Sequence, residues 1–321
     1  MATTKFDANT TALEVVENLN VNLENKVVFI TGGTSGIGVE TARALATTKA
    51  HVFITARDIT KGKEVVEELK KTTGNAQIDV LELDLTSLKS VEQCVQQFRT
   101  FQLPIHILIC NAGIMAVPYS KTVDGFESQF GVNHLSHFYL VKSFLPELEL
   151  GAPSRVVMVS SVLNKFQGIN WEDIQWEQNY DKWLAYGQSK TANILFALQM
   201  NELYKSKGIS SFALNPGAIM TNLQNVLSKE EQQSMGYFKD DGSLADFFKS
   251  VQQGAATSVY AALDPQLVHS KEIYLENCQV SNVVNDNKTE FVGRATHAAD
   301  LNEAKKLWIL SENLLENCRK S

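Results

Sequence analysis

From Lys26 onward the chain alternates between short apolar runs rich in β-branched residues and longer stretches whose apolar positions recur at helical spacing. Seven runs read as strands: 27–30, 51–55, 80–83, 105–110, 156–160, 210–214 and 272–275. Residues 36–47, 61–71, 88–98 and 185–204 read as helices between them. Strands written as nearly continuous apolar runs need both faces covered, which helices on the two sides of a parallel sheet provide. The predicted fold is α/β, a doubly wound seven-stranded parallel sheet in a single domain over 26–321. Residues 1–25 are an N-terminal extension, in which Thr11-Ala12-Leu13-Glu14 has the pattern of a capping box opening a short helix. At the far end, 300–318 reads as an amphipathic helix with Leu307, Leu310 and Leu314 on its inner side.

Composition narrows the function. With 321 residues, 44% of them hydrophobic, the chain can bury a full core. Its net charge of −7 disfavours nucleic acid and anionic membrane as partners, since both call for a basic face. Cys94, Cys110, Cys278 and Cys318 are far apart and form no CxxC pair, so reduced thiols are expected rather than a metal site or disulfides. The first ten residues lack the form of a signal peptide, and no apolar run approaches the ~20 residues of a membrane helix. A cytoplasmic location is expected, with the glycosylation sequons at Asn9 and Asn287 as chance matches.

The first candidate chemistry follows strand one, where Thr31-Gly32-Gly33-Thr34-Ser35-Gly36-Ile37-Gly38 leads into a helix. Glycines there let the backbone turn sharply and approach a pyrophosphate, while the helix N-terminus offers N–H donors and a positive dipole. Glycines at 32, 36 and 38 depart from the generic dinucleotide fingerprint.

That spacing is similar to the short-chain dehydrogenase/reductase family, and further motifs follow in order. They are Asp84, Asn111-Ala112-Gly113, Asn133, Ser160-Ser161, Tyr186-x-x-x-Lys190 and Pro216-Gly217-x-x-x-Thr221. The resemblance covers about residues 26–275 and implies a Rossmann-type sheet with a bound nicotinamide cofactor. It implies that Gly32, Thr34, Ser35, Gly36, Ile37 and Gly38 hold the pyrophosphate, that Asp84 and Leu85 border the adenine, and that Asn111, Ala112 and Gly113 line the adenosine ribose. Pro216, Gly217, Ile219 and Thr221 would hold the carboxamide. NAD-using relatives carry an acid at the end of strand two, where this chain has Ala56 followed by Arg57. A guanidinium forks onto phosphate oxygens, so NADP(H) is expected, although Asp58 could instead pair with Arg57 at the surface.

Tyr186 and Lys190 stand four apart on a helix and so share a face. Reducing a ketone needs a proton for the developing alkoxide, and a nearby ammonium lowers the pKa of the phenol that would supply it. The resemblance makes Tyr186 the acid–base group, contacting the cofactor together with Lys190. Ser161, second of the serine pair, would bind the substrate oxygen, and Asn133 would hold a water linking Lys190 to solvent. Twenty-five positions separate Ser161 from Tyr186, more than in compact family members, and the insert 162–185 carries Trp171, Trp176 and Trp183. Such an insert, and the run from Tyr186 to Phe196, resemble the retinol-dehydrogenase-like and WW-domain-oxidoreductase-like branches. The insert either walls the substrate pocket or simply packs its tryptophans inward.

Residues 222–250, with Leu223, Met235, Tyr237, Phe238, Phe247 and Phe248, read as a substrate lid. The expected function is hydride transfer between NADP(H) and a carbonyl or a primary or secondary alcohol, on an apolar or aromatic small molecule. A catalytically idle NADP(H)-binding sensor or scaffold is the competing reading. Relatives pair through the helices bearing the residues that resemble Asn133 and Tyr186, which implies a homodimer by analogy.

Overall fold

A computed structural model describes residues 6–270, 272–284 and 291–320; the sequon at Asn287 lies outside them. Its main sheet holds β1 (Val27–Ile30), β2 (His51–Ala56), β3 (Ile78–Glu82), β4 (Ile107–Cys110), β5 (Ser154–Val159), β6 (Ile209–Asn215), β7 (Tyr274–Glu276) and β8 (Gln279–Val280). The order is β8-β7-β6-β5-β4-β1-β2-β3. The seven expected strands are parallel, with Val28 opposite Val52 and Phe29 opposite Leu108 in register. The eighth is an antiparallel edge added through a tight turn at Asn277 and Cys278, whose φ angles of 51° and 56° are left-handed.

Alternation along each strand feeds two cores. Val27 and Phe29 point to one side, Val28 and Ile30 to the other. The first side is covered by α4 (Leu88–Arg99), α5 (Ser136–Ser143), α6 (Lys182–Tyr204) and α8 (Leu301–Lys320). The second is covered by α1 (Ala12–Leu19), α2 (Gly36–Ala46), α3 (Ile59–Thr73) and α7 (Val251–Leu263). The capping box at Thr11 and Glu14 is formed, and α1 packs Ala12, Val15 and Val16 into the second core.

Caps explain where the helices differ from the pattern-based bounds. Asp181 accepts from Trp183 N (2.8 Å) and Leu184 N (3.0 Å), so α6 begins at Lys182, three residues earlier than the apolar spacing shows. The buried stripe of α8 runs through Ala304, Leu307, Trp308, Ser311 and Leu315, leaving Leu310 and Leu314 half-buried on its flank. Trp308 stacks on Phe196 of α6 at 5.4 Å and meets Phe138 of α5 edge-on at 4.7 Å. Thus α8 lies across α6, which bears Tyr186 and Lys190, and across α5, which follows Asn133. Among the described residues, no helix is long and apolar enough to cross a membrane.

Candidate active site

Where β1 ends, the glycine turn is forced by contact. A Cβ at Gly38 would stand 2.2 Å from the Gly32 carbonyl oxygen, and one at Gly33 would stand 2.6 Å from Ile54. Gly32 and Gly36 adopt φ angles of 69° and 55°. Ser35 occupies the N-cap of α2 without a side-chain capping bond, so the first-turn N–H groups are left for an anion. Asn111 braces the turn, donating from Nδ2 to the Thr31 and Gly32 carbonyls at 2.9 and 3.2 Å. Thr221 closes it from the opposite side, its Cγ2 3.2 Å from where a Gly36 Cβ would be. A backbone cradle with uncapped donors fits the pyrophosphate of a dinucleotide.

This turn opens one end of a cavity of about 1200 Å³. Every residue expected to touch the cofactor lines it: Gly32, Thr34 to Gly38, Arg57, Asp84, Leu85, Asn111 to Gly113, Tyr186, Lys190, Pro216, Gly217, Ile219 and Thr221. The surface pairing of Asp58 with Arg57 does not form. Asp58 is taken up as the N-cap of α3, accepting from Thr60 N and Lys61 N at 2.9 and 3.1 Å. Arg57 makes no ion pair among the described residues.

At the floor, β5 and α6 bring three groups together. The Ser161 side chain stands close enough to the Tyr186 hydroxyl to act on its pKa. Lys190 Nζ donates to the Val159 carbonyl at 3.1 Å and lies 5.4 Å from the Tyr186 ring centroid. The Ser160 side chain donates to the Lys190 carbonyl at 2.7 Å. Burial acts on both ionisable groups. It pushes the Tyr186 phenol up, opposed by the Ser161 side chain, and pulls Lys190 down to about 8. The neighbouring Lys190 is not among the groups that move the phenol here; desolvation dominates and only Ser161 opposes it.

Asn133 does not reach the cavity. It is fully buried in a π turn, Gly131–Leu135, behind Gly113. Its side chain forms a two-way clamp on Ile114, accepting from the amide and donating to the carbonyl, both at 2.9 Å. A Gly113 Cβ would sit 3.0 Å from Asn133 Oδ1 and 3.5 Å from Lys190 Nζ, so the side-chain-free backbone lies close against both groups.

The insert divides between its two readings. Trp183 lines the cavity with Leu163 and Phe166, whereas Trp171 and Trp176 pack elsewhere. Trp171 Nε1 donates to Glu303 of α8 at 2.8 Å beneath the Lys306 ammonium. Of 222–250, Leu223, Met235, Tyr237, Phe247 and Phe248 wall the cavity, and Phe247 and Phe248 lie 4.6 Å apart. Phe238 is not among the lining residues.

Sequence reasoning missed Glu276, Asn277, Phe291 and Val292, which also line the cavity beside Lys249 of the lid segment. Lys249 donates to Asn277 Oδ1 at 2.6 Å, a contact across 28 positions with no local signature. Phe291 and Val292 are 67% and 47% exposed, and an apolar pair in a polar stretch was the available signal.

Comparison with known proteins agrees with this geometry. The family model described as short chain dehydrogenase matches residues 26–232. The chain is 38% identical over 319 residues to the short-chain dehydrogenase/reductase prx1 of Penicillium roqueforti, covering 96% of this chain and 91% of that one. It is 38% identical to mouse retinol dehydrogenase 12 (92% and 88% covered) and 35% identical to the WW domain-containing oxidoreductase of Pongo abelii (97% and 73%). Among solved structures, an uncharacterized protein from Mycobacterium paratuberculosis superposes with a TM-score of 0.69 at 33% identity, covering 96% of this chain and 98% of that one. The Pseudomonas aeruginosa RhlG/NADP complex shares the fold, with a TM-score of 0.59 at 23% identity over 75% of this chain and 91% of that one. The protein belongs to the short-chain dehydrogenase/reductase family.

Proposed function

We propose that the protein is an NADP(H)-dependent oxidoreductase that reduces carbonyl groups of apolar or aromatic small molecules and runs in reverse on the alcohols. The observation that carries this reading is the joining of two halves in one cavity: a backbone cradle for pyrophosphate and the Ser161–Tyr186–Lys190 cluster.

NADPH, when bound, supplies the hydride; the chain supplies position and a proton. Gly32 and Thr34 to Gly38 hold the pyrophosphate, Asp84 and Leu85 the adenine side, and Asn111 to Gly113 the ribose. Pro216, Gly217, Ile219 and Thr221 hold the carboxamide end. Arg57, beside Ala56 and not paired with Asp58, would fork onto a 2′-phosphate. Ser161 and Tyr186 converge on the carbonyl oxygen. Burial keeps the phenol in its protonated form, the form that gives a proton to the developing alkoxide, while its raised pKa makes it a weaker acid. In the alcohol-oxidising direction the Lys190 ammonium favours phenolate. Asn133 serves from behind, fixing Ile114 and the ribose loop.

The substrate enters under the lid, against Trp183, Tyr237, Phe247 and Phe248. A cytoplasmic setting fits such an enzyme. Pairing of two chains through α5 and α6 meets an obstacle, because α8 already covers those helices through Trp308. We therefore infer that any dimer uses another surface.

The test is Tyr186→Phe. The variant is expected to bind NADPH as the wild type does while losing turnover by ~10²-fold or more. Retained turnover would refute the assignment of Tyr186. A wild type that binds NADPH and reduces no carbonyl would favour the idle sensor.

A further inference from the structure

His137 is wholly buried in α5, one turn beyond Asn133, and the chemistry described so far makes no use of it. Its two ring nitrogens meet two different segments of the site. Nδ1 lies 3.0 Å from the Asn133 carbonyl oxygen, and Nε2 lies 2.9 Å from Thr31 Oγ1 at the end of β1.

The protons in this network can be assigned. A carbonyl only accepts, so the hydrogen on that side belongs to Nδ1. Thr31 Oγ1 accepts from the backbone N–H groups of Asn111 and Ala112 at 2.9 and 3.0 Å. Both acceptor positions are thereby used, and the hydroxyl has one proton to give. Its two candidate acceptors are His137 Nε2 at 2.9 Å and the Ile109 carbonyl at 3.5 Å, and the shorter contact takes it. The ring is therefore the neutral Nδ1–H tautomer. Burial and the nearby Lys190 charge act in the same direction, pulling its pKa down to about 4.

One imidazole thus ties three segments: β1 at the glycine turn, the Asn111–Gly113 loop, and the π turn that presents Asn133 to Ile114. The last two flank Lys190, as the Gly113 approach to Asn133 Oδ1 and Lys190 Nζ shows. We propose that His137 is a positioning residue that holds the cofactor-side loops in register with the Tyr186–Lys190 pair by donating to the Asn133 carbonyl and accepting from Thr31. This inference rests on the oxidoreductase reading.

Three substitutions separate positioning from space filling. In His137→Asn the amide nitrogen stands near Nδ1 and still donates to the Asn133 carbonyl. In His137→Gln the amide stands near Nε2 instead, and His137→Leu removes both bonds. NADPH affinity by fluorescence titration, kcat, KM and melting temperature are measured for each. The Leu variant is expected to lose about ten- to a hundredfold in kcat and about tenfold in NADPH affinity, with substrate KM within about twofold. The Asn variant should recover most of both losses, and the Gln variant should not. A Leu variant with wild-type kcat and affinity would overturn the inference. So would three variants that lose activity equally and in step with melting temperature, since that is packing alone. A wild type that neither binds nor oxidises NADPH or NADH would overturn the oxidoreductase reading, and this inference with it. A working wild type beside an indifferent Leu variant would overturn the inference only.

Discussion

Lys190 Nζ gives its hydrogen bond to the Val159 carbonyl at 3.1 Å while standing 5.4 Å from the centroid of the Tyr186 ring. The end of β5 therefore holds the ammonium in place beside the Tyr186 ring. Asn193, nearly one turn further along α6, donates to the same carbonyl at 3.1 Å. The pair costs stability, because a buried ammonium has left water without a carboxylate beside it among the described residues.

That cost is measurable. Lys190 has an ordinary value of 10.5 and is pulled down to about 8 in the folded chain. Between those values the unfolded chain binds the proton and the folded chain does not, so stability rises with pH across that window. Below about pH 8 the full penalty is present, on the order of 3 kcal/mol. Lys190→Met should be inactive yet more stable than the wild type at pH 7, by denaturant titration. The gap should narrow as pH climbs from 8 to 10. A variant less stable than the wild type at pH 7 would contradict this.

Acid should unfold the protein through its buried histidines. His134 and His137 fall from 6.5 to about 3 and about 4, chiefly because burial disfavours their charged forms. As pH drops below 6.5 the unfolded chain takes up protons that the folded chain refuses, so stability is lost on acidification. Each histidine contributes a slope of up to about 1.4 kcal/mol per pH unit. His137→Asn should flatten the stability profile between pH 6 and 4.5; an unchanged slope would contradict the assignment.

Arg57→Ala should weaken NADPH by about tenfold or more and leave NADH within about twofold, as isothermal titration would show. Asp58→Ala tests the alternative use of that carboxylate. Loss of the α3 cap should lower stability by roughly 1 kcal/mol without changing the NADPH-to-NADH ratio. Equal losses of both cofactors in Arg57→Ala would remove the 2′-phosphate role.

The strands were legible because both faces of each are covered, which writes them as apolar runs such as Val27–Ile30. The glycine turn and the Tyr186–Lys190 pair were legible because backbone approach and helical spacing are local properties. The eighth strand escaped because a two-residue edge, Gln279–Val280, carries no periodicity. The π turn at Asn133 escaped for a similar reason, since one widened turn leaves the apolar pattern of its helix intact. The contacts of His137 with Thr31, Lys249 with Asn277, and Trp308 with Phe196 join positions 106, 28 and 112 residues apart in the chain. Only the folded chain sets such pairs. The rise of the Tyr186 pKa was missed because sequence shows the neighbouring charge and not the depth of burial.

The most direct test of the central claim is steady-state oxidation of NADPH and NADH, followed by absorbance, against a panel of aromatic and aliphatic ketones and aldehydes. The account predicts turnover that prefers NADPH, is highest with apolar ring-containing carbonyls, and disappears in Tyr186→Phe. Tight NADPH binding with no turnover across the panel, or turnover that survives Tyr186→Phe, would contradict it.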